Sequence, residues 1–189
     1  MSDGAQGQSD EHRLIIAGFG GQGVLTLGRL LCMAGIEEGK QVTYLPSYGS
    51  EVRGGTANCQ VVISRRTVYS PLVERADSLI ILNELSFERF AGGIKPGGLI
   101  LANTSIIDMD AMRRPAGASL VELPATDMAA EMGDLRVANV LMLGAFAKRT
   151  ALVAADSCAE AIRRLMGARR PELLDLNLRA LVVGAELAS

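Results

Sequence analysis

The chain has 189 residues, of which 49% are hydrophobic, 21% are charged and only 4% are aromatic. This length is typical of one domain, and the apolar content is ample for a core. The net charge is −2, so no surplus of cations exists to neutralise a phosphate backbone, which argues against nucleic acid as a partner. The sequence contains no run of about 18 apolar residues, which argues against a membrane-spanning segment.

The first eleven residues, MSDGAQGQSDE, are polar and lack the basic and apolar regions of a signal peptide. We therefore expect residues 1–11 to form a disordered polar leader and residues 12–189 to form a single α/β domain. We also expect a cytoplasmic location. His12, the one histidine, is expected to be exposed beside this leader.

The predicted domain begins with a strand, a helix and a second strand. The apolar run at 13–17 predicts a buried strand that ends at glycine. Apolar residues at helical spacing follow Gly23 and predict a helix that ends near Gly39. Residues 41–46 predict the second strand, stopped by Pro46. Such a unit joins parallel strands through a right-handed crossover.

Further strands are predicted at 56–64, 78–83, 99–103 and 119–123. In the first of these, alternation places one set of side chains on a common face: Ala57, Cys59, Val61 and Ile63. Residues 67–69 are expected to pair back as a hairpin, and residues 95–98 to form a turn.

After residue 125 the pattern becomes helical, with helices predicted at 125–132, 137–149, 156–166 and 171–187. Asp156 or Ser157 is the expected N-cap of the third, and Pro171 suits the first turn of the fourth. We therefore predict a doubly wound α/β fold, with a mostly parallel sheet, helices on both faces and a helical C-terminal region.

A glycine-rich turn lies between the first predicted strand and helix. Gly18, Gly20 and Gly23 fit the pattern G-x-G-x-x-G, in which free N–H groups at the helix start face an anion. A dinucleotide would need an acid near the end of the second strand, but Tyr44-Leu45-Pro46 stands there. Two alternatives remain for this turn. It binds another phosphate or anion, or its glycines are needed only for packing between the helix and the strand. The candidate ligand-contacting residues here are Gly18, Gly20, Gly21, Gln22 and Gly23.

The amide of Gln22 has two interpretations: it hydrogen-bonds a ligand, or it holds the neighbouring loop. A second polar loop follows the second strand, whose carboxyl end is expected to lie beside the glycine turn. Arg53 there suits a planar contact with phosphate or carboxylate, with Glu51 fixing it in place. A ligand contact, a subunit contact and a solvent-facing ion pair are all consistent with this loop. Its candidate residues are Tyr48, Gly49, Glu51, Arg53, Gly54 and Gly55.

Catalytic patterns are absent from the sequence. It contains no G-x-x-x-x-G-K-[ST], G-x-S-x-G or H-E-x-x-H motif, and one histidine leaves little scope for a triad or a zinc site. Cys32, Cys59 and Cys158 are far apart and are expected to be buried small hydrophobes rather than cluster ligands. We predict no catalytic residue and no metal site.

The two glycine loops together resemble a known family. The segments Gly-Phe-Gly-Gly-Gln-Gly-Val at 18–24 and Pro-Ser-Tyr-Gly-Ser-Glu-Val-Arg-Gly-Gly at 46–55, with Ile63-Ser64 and Ser70-Pro71, are similar to the gamma subunit of 2-oxoacid:ferredoxin oxidoreductases. The likeness extends from about residue 13 to residue 150. Ser50 departs from it, because the family often has proline there.

The resemblance implies an activity for the whole complex. A 2-oxoacid and coenzyme A (CoA) become acyl-CoA, CO2 and reduced ferredoxin. It also implies that thiamine diphosphate and iron–sulfur clusters lie on alpha, beta and delta-type (ferredoxin-like) partner subunits. This chain alone would bind none of them and would be inactive, while residues 20–23 and 48–55 would face CoA or a partner. The 2-oxoglutarate type looks most similar, with pyruvate, branched-chain 2-oxoacids and indolepyruvate left open.

Two other functions stay open from the sequence. One is an independent NAD(P)- or nucleotide-binding protein of Rossmann-like fold, against which the missing ribose acid counts. The other is a purely structural module whose loops only contact other subunits. We also expect that the isolated chain forms homo-oligomers, because a subunit removed from its complex exposes an apolar surface.

Overall fold

The computed structural model describes residues 11–48, 56–167 and 171–188. Within these ranges the strands are β1 (Glu11–Phe19), β2 (Gln41–Tyr48), β3 (Thr56–Ser64), β4 (Ala76–Ile81), β5 (Ile94–Asn103) and β6 (Ser119–Leu123). The helices are α1 (Val24–Glu37), α2 (Glu84–Phe90), α3 (Ala125–Glu131), α4 (Ala138–Thr150), α5 (Ala155–Met166) and α6 (Leu174–Leu187). Short 3-10 turns lie at Ala91–Gly93, Leu135–Val137 and Pro171–Leu173.

The strands form one sheet in the order β2-β3-β1-β4-β5-β6. β1, β4, β5 and β6 are parallel, and β3 runs antiparallel to both of its neighbours. One face of the sheet is covered by α1, α4, α5 and α6, and the other by α2 and the segment after β5. The predicted doubly wound, mostly parallel sheet with a helical C-terminal region is therefore confirmed.

The position of β3 corrects one expectation. The crossover from β1 through α1 does not place β2 beside β1, because β3 lies between them. Local apolar runs predict that strands exist, but they do not determine which strands pair. The face predicted for β3 is confirmed, since Cys59, Val61 and Ile63 are buried in the core beneath α1.

Several local predictions were wrong. Pro46 lies inside β2 rather than stopping it, because β2 is an edge strand that tolerates a missing N–H. Residues 67–69 form no strand. Residues 95–98 belong to β5, where Gly97 has φ 76° and the register with β4 shifts. Helix α2 was not predicted at all.

His12 lies on β1 rather than in an exposed leader, and β1 already begins at Glu11. Its Nε2 is 2.9 Å from the Ser78 Oγ, and its ring meets Phe146 edge-on. Burial lowers the pKa of His12; Asp77 opposes this shift and Lys95 adds to it. The three cysteines are buried as expected, and burial raises the pKa of each thiol to about 12. None of the described helices is long and apolar enough to cross a membrane.

The amino terminus of α5 is capped from another part of the chain. Neither Asp156 nor Ser157 is its N-cap; that position is Ala154, which has no side-chain oxygen. Instead Glu38, just after α1, accepts the Ala154 N–H at 2.6 Å through Oε1 and the Lys40 Nζ at 2.6 Å through Oε2. Burial alone would raise the pKa of Glu38, but the bonds from Lys40, Ala154 and Ser157 hold it below its ordinary value.

We expect Glu38→Gln to lower the free energy of unfolding at neutral pH by about 1 kcal/mol, the usual value of a helix cap. A lowered pKa in the folded state stabilises the fold above the unfolded-state pKa, and this contribution disappears as the pH falls through the folded-state value. The difference between wild type and variant should therefore narrow below about pH 4. Urea titrations at several pH values measure this. Glu88→Gln, at an exposed position of α2, is the control and should change the free energy of unfolding by less than about 0.5 kcal/mol.

Candidate functional site

The predicted glycine turn joins β1 to α1 at the carboxyl edge of the sheet. The Gln22 N–H donates to the Phe19 carbonyl at 3.2 Å, and this closes a four-residue turn. Gly21 at its third position has φ 99°, and Gly23, the N-cap of α1, has φ 77°. Both values lie in the left-handed region that favours glycine. Gly20 and Gly21 are exposed to solvent.

Close packing explains two of the glycines. A Cβ added to Gly18 would lie 2.7 Å from the Gln22 Oε1 and 2.9 Å from the Leu82 Cβ. A Cβ on Gly23 would overlap the Asn139 amide of α4, which donates to the Gly23 carbonyl at 3.2 Å. By contrast, beyond its chain neighbours no atom of the described residues lies within 4 Å of the position that a Cβ on Gly21 would take. Gly18 and Gly23 therefore shape the turn, while Gly21 presents open backbone.

The side chain of Gln22 bridges the carboxyl ends of β1 and β4. Its Oε1 accepts the Phe19 N–H at 2.6 Å, and its Nε2 donates to the Leu82 carbonyl at 3.1 Å. The Asn83 amide adds a longer bond at 3.4 Å. β1 and β4 are adjacent parallel strands whose following helices lie on opposite faces, so this is the switch point of the sheet. The geometry supports the second interpretation of Gln22, in which it holds the neighbouring loop.

Helix α1 begins after Gly23, an N-cap residue without a side chain, and the first turn of α1 holds no acid. In α2, by contrast, the Asn83 Oδ1 accepts the Ser86 N–H at 2.8 Å, and Glu84 lies in the first turn. Neither the N-cap residue nor the first turn of α1 therefore offsets the partial positive charge at the start of this helix, which favours an anion.

A small cleft lies beside the glycine turn, on the side of β4 and β5. Its volume is about 210 Å³, and it is lined by Gly21, Gln22, Leu82, Asn103, Ile106, Thr126, Leu135, Arg136 and Ala138. Ile106 and Leu135 are 38% and 59% exposed, so the mouth of the cleft is apolar. Arg136 lies there in an ion pair with Asp134. Of the residues that line this cleft, the sequence prediction included only Gly21 and Gln22.

Asparagines at the ends of β4 and β5 hold the walls of this cleft. Asn103 donates to the Thr126 Oγ1 at 2.8 Å and accepts the Thr126 N–H at 3.2 Å, so it fastens the start of α3 to the sheet. Asn83 has the corresponding place after β4 and caps α2. An asparagine directly after an apolar run was the sequence signal for the cap of α2, and it was missed.

The second predicted loop begins and ends next to the glycine turn. In the sheet register Tyr48 lies opposite Ala57, which lies opposite Gly18, and Thr56 lies opposite Phe19. The backbone therefore brings both ends of the loop to the turn, although β3 separates β2 from β1. Six predicted residues lie outside the described ranges or have only their backbone described: Tyr48 in the backbone alone, and Gly49, Glu51, Arg53, Gly54 and Gly55 outside.

The described residues of this edge offer groups that can bind a ligand. His12 lies at the opposite, amino edge of the sheet, and the cysteine thiols are buried. The described ranges contain no group of three or more side chains that could hold a metal ion. Within the described residues, the carboxyl edge offers backbone N–H groups, an apolar cleft and the guanidinium of Arg136. These groups can bind and orient an anionic ligand.

Comparison with known proteins identifies the family. The family described as "Pyruvate ferredoxin/flavodoxin oxidoreductase" matches residues 13–187. Ketoisovalerate oxidoreductase subunit VorA of Methanothermobacter marburgensis is 38% identical over 179 residues, which cover 94% of this chain and 37% of VorA. The 2-oxoglutarate synthase subunit KorC of Methanocaldococcus jannaschii is 34% identical over 149 residues, covering 78% of this chain and 79% of KorC. This chain thus spans little more than a third of VorA but most of KorC.

Solved structures agree with this assignment. The gamma subunit of a keto/oxoacid ferredoxin oxidoreductase from Geobacter sulfurreducens has 25% identity and a TM-score of 0.81, covering 94% of this chain and 96% of its own. The 2-oxoglutarate:ferredoxin oxidoreductase of Magnetococcus marinus, solved with 2-oxoglutarate, CoA and succinyl-CoA bound, has 25% identity and a TM-score of 0.88. The match covers 96% of this chain and 31% of the Magnetococcus marinus chain. The resemblance found in the two glycine loops is confirmed, and the chain belongs to the pyruvate ferredoxin/flavodoxin oxidoreductase family.

Proposed function

We propose that this chain is the gamma subunit of a 2-oxoacid:ferredoxin oxidoreductase. In this role it supports the CoA-dependent oxidative decarboxylation of a 2-oxoacid to acyl-CoA, CO2 and reduced ferredoxin, and the isolated chain is inactive. One observation carries the proposal: the chain matches a separately solved gamma subunit over nearly the full length of both. The lack of a catalytic set among the described residues supports it.

The redox and thiamine cofactors are proposed to lie on other chains. Cys32, Cys59 and Cys158 are buried in the core, and burial holds their pKa near 12, far from that of a thiolate ligand. The described residues therefore do not fit an iron–sulfur cluster. We propose that alpha, beta and delta-type subunits carry thiamine diphosphate and the clusters, and that this chain contacts them through its surface.

The contribution of this chain is proposed to be contact with CoA, whose thiol takes up the acyl group. Two features of the described residues fit an anionic ligand of this kind: the glycine N-cap of α1 and the exposed backbone at Gly20 and Gly21. Gly18, Gln22 and Gly23 are proposed to set the shape of the turn. The second loop, from Tyr48 to Gly55, is proposed to complete the contact.

The proposed 2-oxoacid is 2-oxoglutarate. The relatives that match over most of their own length include the KorC subunits of 2-oxoglutarate synthases. Ketoisovalerate is the second candidate, because the subunit VorA has 38% identity over 179 residues. An independent NAD(P)-binding role is disfavoured, because β3 separates β2 from β1 where a dinucleotide fold would place the ribose acid.

Purification of the chain under native conditions from its own host tests this proposal. We expect a thiamine-diphosphate chain to co-purify with this chain. The complex should reduce ferredoxin with 2-oxoglutarate and CoA, and the separated chain should not. Ketoisovalerate and pyruvate are assayed in parallel. If the complex turns over ketoisovalerate and neither of the other two acids, 2-oxoglutarate is rejected as the substrate, but the role as a gamma subunit is not. Elution of the chain without any thiamine-diphosphate partner would reject the role itself.

A further inference from the structure

A long groove lies at the amino edge of the sheet, opposite the glycine turn. It consists of three cavities of about 750, 380 and 360 Å³. The first and second share Lys40, Arg65 and Ala151, and the second and third share His12, Asp77 and Thr150, so the three cavities adjoin one another along this edge. We call the three cavities together the amino-edge groove. Nothing in the proposed role at the carboxyl edge uses it.

Cations outnumber acids along this groove. Its acidic residues are Glu11, Glu38 and Asp77. Each already has a cationic partner within the chain: Arg13 at 2.6 Å, Lys40 at 2.6 Å and Lys95 at 2.7 Å, respectively.

Three lining cations remain, namely Arg65, Lys148 and Arg149. All three are exposed, and none forms a salt bridge with another described residue. Among the described residues, the unpaired charge of the groove is therefore positive.

The widest part of the groove has an apolar floor of small residues. Gly144, Ala147 and Ala185 line it, together with Leu181, where α4 and α6 meet. Such a surface accepts main chain and short side chains rather than a large aromatic group. A cationic rim over a narrow apolar floor is complementary to an extended segment that alternates acidic and small apolar residues.

A small anion fits this groove less well than a peptide does. Sites for small anions converge several donors on one point, and a deeply buried polar group often lies among them. Among the described residues, the buried side-chain atoms without a hydrogen-bond partner belong to Thr43, Ser86 and Asn139, and none of these lines the groove. The cations are instead spread along its length.

We propose that the amino-edge groove is a docking surface that receives an acidic peptide segment from a partner chain. The identity of that partner, another subunit of the oxidoreductase, rests on the proposed function. Docking at this edge leaves the carboxyl edge open for the ligand, since the two edges lie at opposite ends of the strands.

Charge reversal of the rim tests the proposal in the assembled complex. We expect Arg65→Glu/Lys148→Glu to weaken assembly about tenfold or more, measured as the dissociation constant for this chain at several salt concentrations. Arg113→Glu/Arg179→Glu is the matched control, because both arginines are exposed and lie outside the groove. Equal assembly of all three proteins would overturn the proposal.

A direct measurement separates this inference from the proposed function. A fluorescein-labelled decapeptide of alternating Glu and Ala should bind the wild-type chain and the control but not the reversed variant. If the peptide does not bind the wild-type chain, the proposal is overturned. It is also overturned if pyrophosphate binds the chain and displaces the peptide but does not affect assembly of the complex. If the wild type assembles with no thiamine-diphosphate chain, the proposed function fails, and the peptide result still decides the groove.

Discussion

Gly21→Ala in the assembled complex should raise the KM for CoA about tenfold or more, with a much smaller effect on kcat. Gly21 is exposed, and beyond its chain neighbours no atom of the described residues lies within 4 Å of the position that its Cβ would take. The added methyl group would therefore meet no other described residue, and we expect its effect to fall on an incoming ligand. A tenfold rise corresponds to about 1.4 kcal/mol of lost binding, which is modest for a displaced backbone contact.

Gly117→Ala is the matched control for this variant. Gly117 also has positive φ, 76° against 99° for Gly21, and also has open space where a Cβ would point. Both variants should lose about 1–2 kcal/mol of stability from left-handed strain, and only Gly21→Ala should change the KM for CoA. Equal KM values in the two variants would place CoA elsewhere and favour the alternative in which the loops contact only other subunits.

The sequence predicts the parts of this site whose residues are close together along the chain, but not the contacts between residues that are far apart along it. The glycine turn itself was predictable, because a strand, four glycines and a helix follow one another in a short segment. Its supports were not. Gln22 bonds to Leu82, 60 residues away, and Gly23 to Asn139, 116 residues away. No local pattern specifies such partners, although the turn depends on them.

The fold shows the same division between local and distant information. Strands β3 and β6 were predicted at their observed bounds, and in β3 the alternation of apolar side chains is the local signal. Helix α2 was missed since it has only seven residues and two buried positions, Ser86 and Phe87, too few to give a helical period. The insertion of β3 between β1 and β2 is a matter of pairing, which short-range patterning leaves undetermined.

The crossing of α4 and α6 should be the most sensitive point of the core. At Gly144 an added Cβ would overlap the Leu181 carbonyl, and at Gly184 it would overlap the Leu141 carbonyl. The two helix backbones therefore touch directly through reciprocal glycines. We expect Gly144→Ala to lower the free energy of unfolding by about 3 kcal/mol, since the helices must separate to admit the methyl group.

The sign of this effect makes the prediction decisive. Helix propensity alone would make a glycine-to-alanine change inside α4 stabilising by about 1 kcal/mol, so a loss can only come from the crossing. Gly92→Ala, with open space around it, should stay within about 0.5 kcal/mol of wild type in the same urea titration. Gly144→Ala/Gly184→Ala should cost less than the two single changes together, because one separation of the helices accommodates both methyl groups. A Gly144→Ala variant as stable as Gly92→Ala would mean that α4 and α6 are free to move apart. In that case Asn139, at the start of α4, could not hold Gly23 in place.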